Sequence, residues 1–276
     1  MKNGKNIMNI GVVVTTYNHP AWLEKLFWGY LAQTDQSFTL IIADDGSKNE
    51  TKELIDKYSD QLKIEHVWHE DLGFRKTKIL NDAIRNTQCD YLIFTDHDCV
   101  PRNDFISTHR AYAKKGMFLS GGYFKLNMKV SVLTTEQDII NQRVFNYKWL
   151  LQNGQEKTLK AIKLRVNGKM ATLMDWITPT KATWNGMNSS AFKQDIVDVN
   201  GFNEDMSYGG LDREMGERMM NNGVKNIQLR HKAICLHLDH KRGYDSKETW
   251  EKNRAIRQQV KDENLTWTKN GIQKNQ

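Results

Sequence analysis

In the first hundred residues four short apolar runs alternate with three segments whose apolar positions recur at helical spacing. Ile10 to Val14 is β-branched and continuous, as expected of a strand buried on both faces. Pro20 then suits the first turn of a helix, and Trp22, Leu23, Leu26, Phe27, Tyr30 and Leu31 repeat along one side of it. Phe38 to Ala43 reads as a second strand. Ser47 and Glu50 form a capping-box pattern that opens a helix running to about Tyr58. Leu62 to Trp68 predicts a third strand, and Ile79, Leu80, Ala83 and Ile84 mark the next helix. Tyr91 to Phe94 predicts a fourth strand. Strand and helix alternating in this way predict an α/β domain: a mostly parallel twisted sheet with helices on both faces. In such sheets ligands bind beyond the carboxyl ends of the strands. The loops 15–20, 44–47, 69–76 and 96–102 all fall at such ends.

Beyond Met117 the rhythm changes. Met117 to Leu126 predicts a strand with a bend at Gly121-Gly122. Residues 133–152 read as helix, and 153–170 as a polar, lysine-rich surface excursion. Residues 190–200 read as a short helix, and 211–222 as another ended by Gly223. Ile227 to Leu238 predicts a strand, 246–262 a charged helix, and the last dozen residues a loose tail. The expected organisation is one domain over 1–245, with a nucleotide-binding half to about 125 and an acceptor half from about 126, followed by the helix and tail of 246–276.

Composition narrows the class. At 39% hydrophobic and 26% charged, the 276 residues describe a globular chain. Three widely separated cysteines, without a C-x-x-C, support neither a zinc site nor a disulfide framework, and so fit a reduced compartment. The polar Met1–Asn9 stretch lacks the apolar core of a secretory signal, and no run is long enough to span a membrane. A cytoplasmic location is the expectation. The net charge of +7 is scattered and forms no nucleic-acid-binding tract, although it and the helix at 246–262 suit docking at the inner face of an acidic membrane.

The chemistry centres on Thr95-Asp-His-Asp98. Along an extended chain, i and i+2 point the same way, so Asp96 and Asp98 would repel each other unless a cation lay between them. Oxygen ligands suit Mg²⁺ or Mn²⁺. A polar turn closed by Pro101 explains the same spacing.

These residues stand among others that resemble a known family, the inverting family 2 glycosyltransferases of the GT-A fold. The first strand with Thr15-Thr-Tyr-Asn18, the turn Ala43-Asp-Asp-Gly-Ser47, and Thr95-Asp-His-Asp98 occur in that family's order. Gly73-Phe-Arg-Lys-Thr-Lys-Ile-Leu-Asn81 is similar to a segment of chondroitin-polymerase-type enzymes. Asn185-Gly-Met-Asn-Ser-Ser190, Asn200-Gly-Phe-Asn203 and Tyr208-Gly-Gly-Leu-Asp212 resemble the carboxyl-terminal module of β-1,4-galactosyltransferases.

The resemblance implies a UDP-sugar donor and a glycan or lipid-linked glycan acceptor, in bacterial surface polysaccharide synthesis. It places Thr16, Tyr17, Asp44 or Asp45, Arg75, Lys76, Asp96 and Gly210 at the nucleotide sugar. It assigns Asp96 and Asp98 to the metal, Mn²⁺ or Mg²⁺, together with His237 or His240, the pattern favouring His237. Asp212 corresponds to the catalytic base, and the acceptor would meet Trp184, Asn185 and Glu214. Leu211 departs from the acidic residue that the galactosyltransferase pattern has there. Two other classes stay in view. A nucleotidyltransferase would need a glycine-rich loop after the first strand, which 15–20 lacks. A non-catalytic glycan- or nucleic-acid-binding module would not need Asp96, Asp98, Asp212 and His237 together.

Overall fold

The computed structural model describes residues 8–240 and 247–274. Most of the polar N-terminal stretch and the expected boundary at 245 lie outside the described residues. The first half follows the sequence pattern closely: β1 (Ile10–Thr16), α1 (Pro20–Leu31), β2 (Phe38–Asp44), α2 (Asn49–Tyr58), β3 (Ile64–Trp68), α3 (Lys76–Asn86) and β4 (Tyr91–Asp96). These four strands are parallel, in the spatial order β3-β2-β1-β4. Chain order reverses direction between β1 and β4, so a crevice opens beyond the ends that carry Thr15, Thr16 and Asp96.

Both faces of these strands are covered. Val12 and Val14 pack with Leu23, Leu26 and Phe27 of α1, while the intervening Val13 packs with Ile79, Leu80 and Ala83 of α3. Leu40/Ile42 and Ile41/Ala43 divide between the same two layers. This alternation turns continuous apolar runs into a two-sided core.

The chain then forms β5 (Cys99–Pro101), α4 (Phe105–Tyr112) and β6 (Met117–Lys125). The bend expected at Gly121-Gly122 is a register shift between β6 and its parallel neighbour β8 (Lys225–His237). A β-carbon at Gly122 would lie 1.9 Å from the Arg230 carbonyl oxygen, and one at Gly121 would lie 2.1 Å from Asn188 Oδ1. Only glycine permits that approach.

Four expectations for the second half do not hold. Residues 133–152 are not one helix. They break into α5 (Met128–Leu133), α6 (Glu136–Ile140), a 3₁₀ turn (Arg143–Phe145) and α7 (Tyr147–Gln152), because Asn127, Thr135 and Asn146 each cap a new start with a side-chain oxygen. The stretch 153–170 is not simply a polar excursion, since it leads through a 3₁₀ turn (Leu159–Ala161) into α8 (Ile162–Arg165) and α9 (Gly168–Ile177) and buries Ala161 and Lys163. Residues 190–200 begin as a strand, β7 (Ser189–Phe192), antiparallel to β4 and β6, before α10 (Lys193–Val197). Its polar residues stay buried because Ser190 Oγ bonds the Tyr91 hydroxyl at 2.7 Å and His109 Nδ1 at 2.7 Å. The tail is not loose as far as Lys274: Gly271 lies against the Asn200 backbone, and the Ile272 N–H donates to the Asn200 carbonyl at 3.0 Å.

Among the described residues the sheet has eight strands in the order β3-β2-β1-β4-β7-β6-β8-β5. Helix α11 (Leu211–Asn221) packs on one face, and α12 (Lys247–Asp262) lies over it through Arg257 and Glu217, 2.6 Å apart. The Ser47/Glu50 capping box does not form. Lys48 occupies the N-cap position, and Ser47 Oγ accepts instead from the Asn18 N–H at 2.8 Å, tying the β2 turn to the loop after β1.

Candidate active site

Beyond the ends of β1 and β4 lies a cavity of about 430 Å³. Its wall takes Thr15, Thr16 and Tyr17 from β1 and its loop, Asp45 from β2, and Gly73, Phe74 and Lys76 from the start of α3. Asp96, His97 and Asp98 come from the end of β4, Tyr208 to Asp212 from the start of α11, and His237 and His240 from the end of β8. Segments separate in sequence therefore converge here.

Asp96 is held rather than open. Lys76 Nζ and Thr15 Oγ1 each donate to its Oδ1 at 2.6 Å. Burial pushes this carboxyl up, but the Lys76 ammonium outweighs it, and the net shift is downward despite Asp98 nearby. For Lys76, burial favours the neutral amine. Asp96 and Asp212 together overcome that and raise its pKa well above the usual lysine range.

Asp98 belongs to a different group. Alternation along a strand was expected to align it with Asp96, but β4 ends at Asp96, and His97 and Asp98 form a turn. Asp98 Oδ2 lies 3.0 Å from His240 Nε2 and 3.5 Å from His237 Nε2, and the two imidazoles stack with centroids 5.5 Å apart. Burial raises the Asp98 carboxyl, but the His240 hydrogen bond and the charges of His237, His97 and His240 bring it below the ordinary range.

Asp98, Cys99 and His237 offer ligand atoms all within 4.8 Å of one another. Two observations fit a cation there: His237 Nδ1 is buried without a partner, and a carboxylate is gathered with imidazoles. A carboxylate with imidazole donors suits Mn²⁺ better than Mg²⁺. Burial pushes the Cys99 thiol well up, and its S–H donates to Asp98 Oδ1 at 3.3 Å.

Asp212 stands in the cavity wall at the start of α11. Its Oδ1 is buried with no hydrogen-bond partner. Burial pushes its carboxyl up to about 6, with Lys76 opposing and Asp96 adding to the shift. The preceding glycines are required by the backbone, Gly209 at φ 103° and Gly210 at φ 82°. From the other side, Gly186 approaches so closely that a β-carbon there would lie 2.6 Å from Asp212 Oδ1.

Several expected site residues lie elsewhere. Asp44 is buried in the β2 turn, accepting from the Ser47 N–H at 2.8 Å and paired with His66 at 3.0 Å, while its neighbour Asp45 lines the cavity. Asp45 is itself paired with His69 at 2.7 Å and accepts from the Arg75 N–H at 3.0 Å. The Arg75 guanidinium bonds the Glu70 carbonyl, and Lys78 pairs with Asp82 at 2.8 Å, so of the three cations at this helix start Lys76 alone lines the cavity.

Trp184 has no sugar-stacking face. It is 0% exposed, wedged between Phe94 and Phe118 and against Gly216. Asn185 donates from its side-chain amide to the Asn188 carbonyl at 3.2 Å, while its Oδ1 is buried without a partner. Glu214 forms a buried ion pair with Arg218 at 2.8 Å. The aromatic face of Trp184 and the charge of Glu214 are thus spent inside the fold.

The site also contains residues the pattern did not suggest. Trp250 of α12 lines the cavity, edge-on to Tyr208 with centroids 6.4 Å apart. Asn253, one turn on, donates to the carbonyls of Ser207, Tyr208 and Gly209 at 3.0, 3.0 and 2.6 Å, fixing the loop before Asp212. Asp71 accepts from the Tyr17 hydroxyl at 2.8 Å. A charged helix gave no sign that one of its aromatic residues would reach the site.

Comparison with known proteins agrees with this architecture. The chain is 26% identical over 230 residues to validoxylamine A glucosyltransferase of Streptomyces hygroscopicus subsp. jinggangensis, covering 78% of this chain and 52% of that protein. A shorter match, 29% identical over 105 residues, covers 38% of this chain and 11% of the hyaluronan synthase of Pasteurella multocida. The chain thus spans about half the length of the first relative and a small part of the second.

Among solved structures, S. aureus TarS 1–349 in complex with UDP-GlcNAc superposes with a TM-score of 0.64 at 16% identity, over 90% of this chain and 65% of that one. The Pyrobaculum calidifontis mannosyltransferase PcManGT, in complex with GDP-Man and Mn²⁺, gives a TM-score of 0.54 at 18% identity, over 85% and 58%. At such identities these two show the fold, a mixed α/β sheet of GT-A type. The family pattern of glycosyl transferase family 2 matches residues 11–169, more than half of the chain. The protein belongs to glycosyl transferase family 2.

Proposed function

We propose that the protein is an inverting, metal-dependent hexosyltransferase that moves a hexose or N-acetylhexosamine from a UDP-sugar to a glycan acceptor, free or lipid-linked, in the assembly of a bacterial surface polysaccharide. The observation that carries this reading is Asp212: a carboxylate in the cavity wall, one oxygen buried without a partner, with burial setting its pKa near 6. A carboxylate so tuned stays ionised at neutral pH and accepts a proton more readily than an exposed one. Asp212 lines the same cavity as Asp96 and Asp98, so one substrate could meet both the base and the groups facing its leaving diphosphate.

The other residues take roles that follow from their chemistry. Thr16, Tyr17 and Asp45 line the mouth beyond β1 and β2, where a uridine would lie. Lys76 brings a half-buried ammonium toward a diphosphate, and Asp96 orients it. Gly210 lets the sugar approach the backbone. Asp98 with His237 and His240 would hold Mn²⁺. Such an ion supplies Lewis-acid neutralisation of the diphosphate leaving group. Asp212 removes the proton from the acceptor hydroxyl, and Leu211 gives the acceptor an apolar neighbour where the galactosyltransferase pattern has an acid. Family membership leaves the nucleotidyltransferase and non-catalytic alternatives without support.

A panel of UDP-hexoses and UDP-N-acetylhexosamines with Mn²⁺ tests the reading, with product stereochemistry read by NMR. Release of UDP and an inverted anomeric configuration are expected. Retention would overturn the role given to Asp212, and absence of UDP release with every donor would overturn the transferase reading.

A further inference from the structure

The segment 157–181 is unlike the rest of the surface. It exposes Leu159 at 95%, Trp176 at 82%, Met170 at 54%, Ile177 at 52% and Leu173 at 47%. Met170, Leu173 and Trp176/Ile177 recur at helical spacing along α9, while Ala171 and Asp175 on its other side are buried. Isolated exposed apolar residues need no explanation, but a contiguous set bearing a tryptophan does. The charge around it is one-sided: six cations (Lys157, Lys160, Lys163, Arg165, Lys169 and Lys181) stand against one acid, Asp175. Asp175 is already paired with His231 at 2.8 Å.

Beside this face is a second cavity, of about 740 Å³, lined among others by Lys125, Lys160, Lys163 and Arg230, and by no aspartate or glutamate among the described residues. Lys163 is 8% exposed. Its ammonium donates to the Tyr123 carbonyl at 3.0 Å and sits over the Tyr123 ring, with no carboxylate paired to it among the described residues. Burial, with Arg230 adding, lowers its pKa to about 8. A buried cation without a counter-charge is costly unless an anion is supplied from outside.

We propose that the 157–181 face is a docking surface for an anionic lipid bilayer, with Trp176, Leu159 and Leu173 entering the headgroup boundary and a lipid phosphate received in the Lys163–Arg230 cavity. Exposed apolar and aromatic side chains flanked by lysine are the chemistry of an interfacial contact. Lipid also satisfies both halves of the surface at once, whereas a soluble anion would leave the apolar half exposed. This surface is distinct from the helix at 246–262. It gives the lipid-linked acceptor of the proposed function a place to be met, but docking itself does not depend on that reading.

Co-sedimentation with vesicles of phosphatidylglycerol and phosphatidylcholine in equal parts, against phosphatidylcholine alone, tests it. The full chain should pellet with the anionic vesicles, stay in solution with the neutral ones, and be released by salt. Trp176→Glu, at an exposed position, should weaken binding about tenfold, and Lys160→Glu roughly fivefold or more. Calorimetric titration of UDP with Mn²⁺ should be unchanged in both variants, which separates a failure of docking from a failure of the active-site reading. Equal sedimentation with neutral vesicles would overturn the proposal. So would an unaltered Trp176→Glu, or a soluble dimer split by that variant without any vesicle binding.

Discussion

Gly186 and Asp212 face each other so tightly that no side chain fits between them: a β-carbon at 186 would lie 2.6 Å from Asp212 Oδ1. The Asn185-Gly186 loop therefore keeps the carboxylate in one position, and glycine is what allows it. Gly186→Ala is expected to displace Asp212 while leaving the sheet intact. Turnover should fall about 10²-fold or more, the range for a general base removed from its station, with UDP affinity unchanged. Steady-state kinetics alongside UDP calorimetry checks this, since a global packing defect would lower both.

Asp212→Asn should abolish transfer and preserve UDP binding. Because the folded pKa of Asp212, about 6, lies above its unfolded value, the native state binds the extra proton between those two values, and stability from this group is lost as pH rises through that window. Removing the charge should therefore stabilise the protein at pH 7 by about 1–3 kcal/mol and leave it nearly unchanged at pH 4. Denaturant unfolding at the two pH values measures the difference. In the wild type, turnover should rise with pH through about 6 and then level off.

Trp184→Ala and Arg218→Met should damage the fold rather than the acceptor site. Trp184 fills the core between Phe94 and Phe118, and its loss should cost about 3–5 kcal/mol. Arg218→Met leaves Glu214 buried and unpaired, with a cost of similar size, about 3–5 kcal/mol. Urea midpoints should drop in both, while the KM for acceptor in the folded fraction should stay constant.

Much of this was legible in the chain. The strands β1, β2 and β4 declare themselves as continuous apolar runs because both of their faces are covered, and the loops that follow them do meet at one cavity. Asp212 and Lys76 were marked by their motifs. What stayed hidden was which polar residues are consumed inside the fold. Asp44 and Asp45 are adjacent and chemically equal, and their division between a buried turn and an open wall depends on His66 and His69 from the neighbouring strand and loop. β7 was missed because Ser190 is buried only by virtue of partners on β4 and α4, which no local pattern contains. The i, i+4 spacing of Glu214 and Arg218 was a readable sign that the two would pair along one helix, though not that the pair would be buried.

His237→Ala and His240→Ala should each weaken Mn²⁺ binding, and Asp98→Ala should abolish it, since the three share one cluster around the Asp98 carboxylate. Asp96→Ala should act differently. It frees Lys76 from its partner, so that Mn²⁺ affinity falls less than UDP-sugar turnover does. Manganese-dependent thermal shifts, run beside turnover for all four variants, distinguish the two aspartates.

The most direct measurement is calorimetric titration of UDP into the wild type and into Asp98→Ala, with and without Mn²⁺. Binding by the wild type that strengthens with Mn²⁺, and a variant in which the ion makes no difference, is the predicted result. Equal affinity in all four experiments, or no affinity for UDP at all, would contradict the assignment of this cavity to a metal-assisted nucleotide-sugar site.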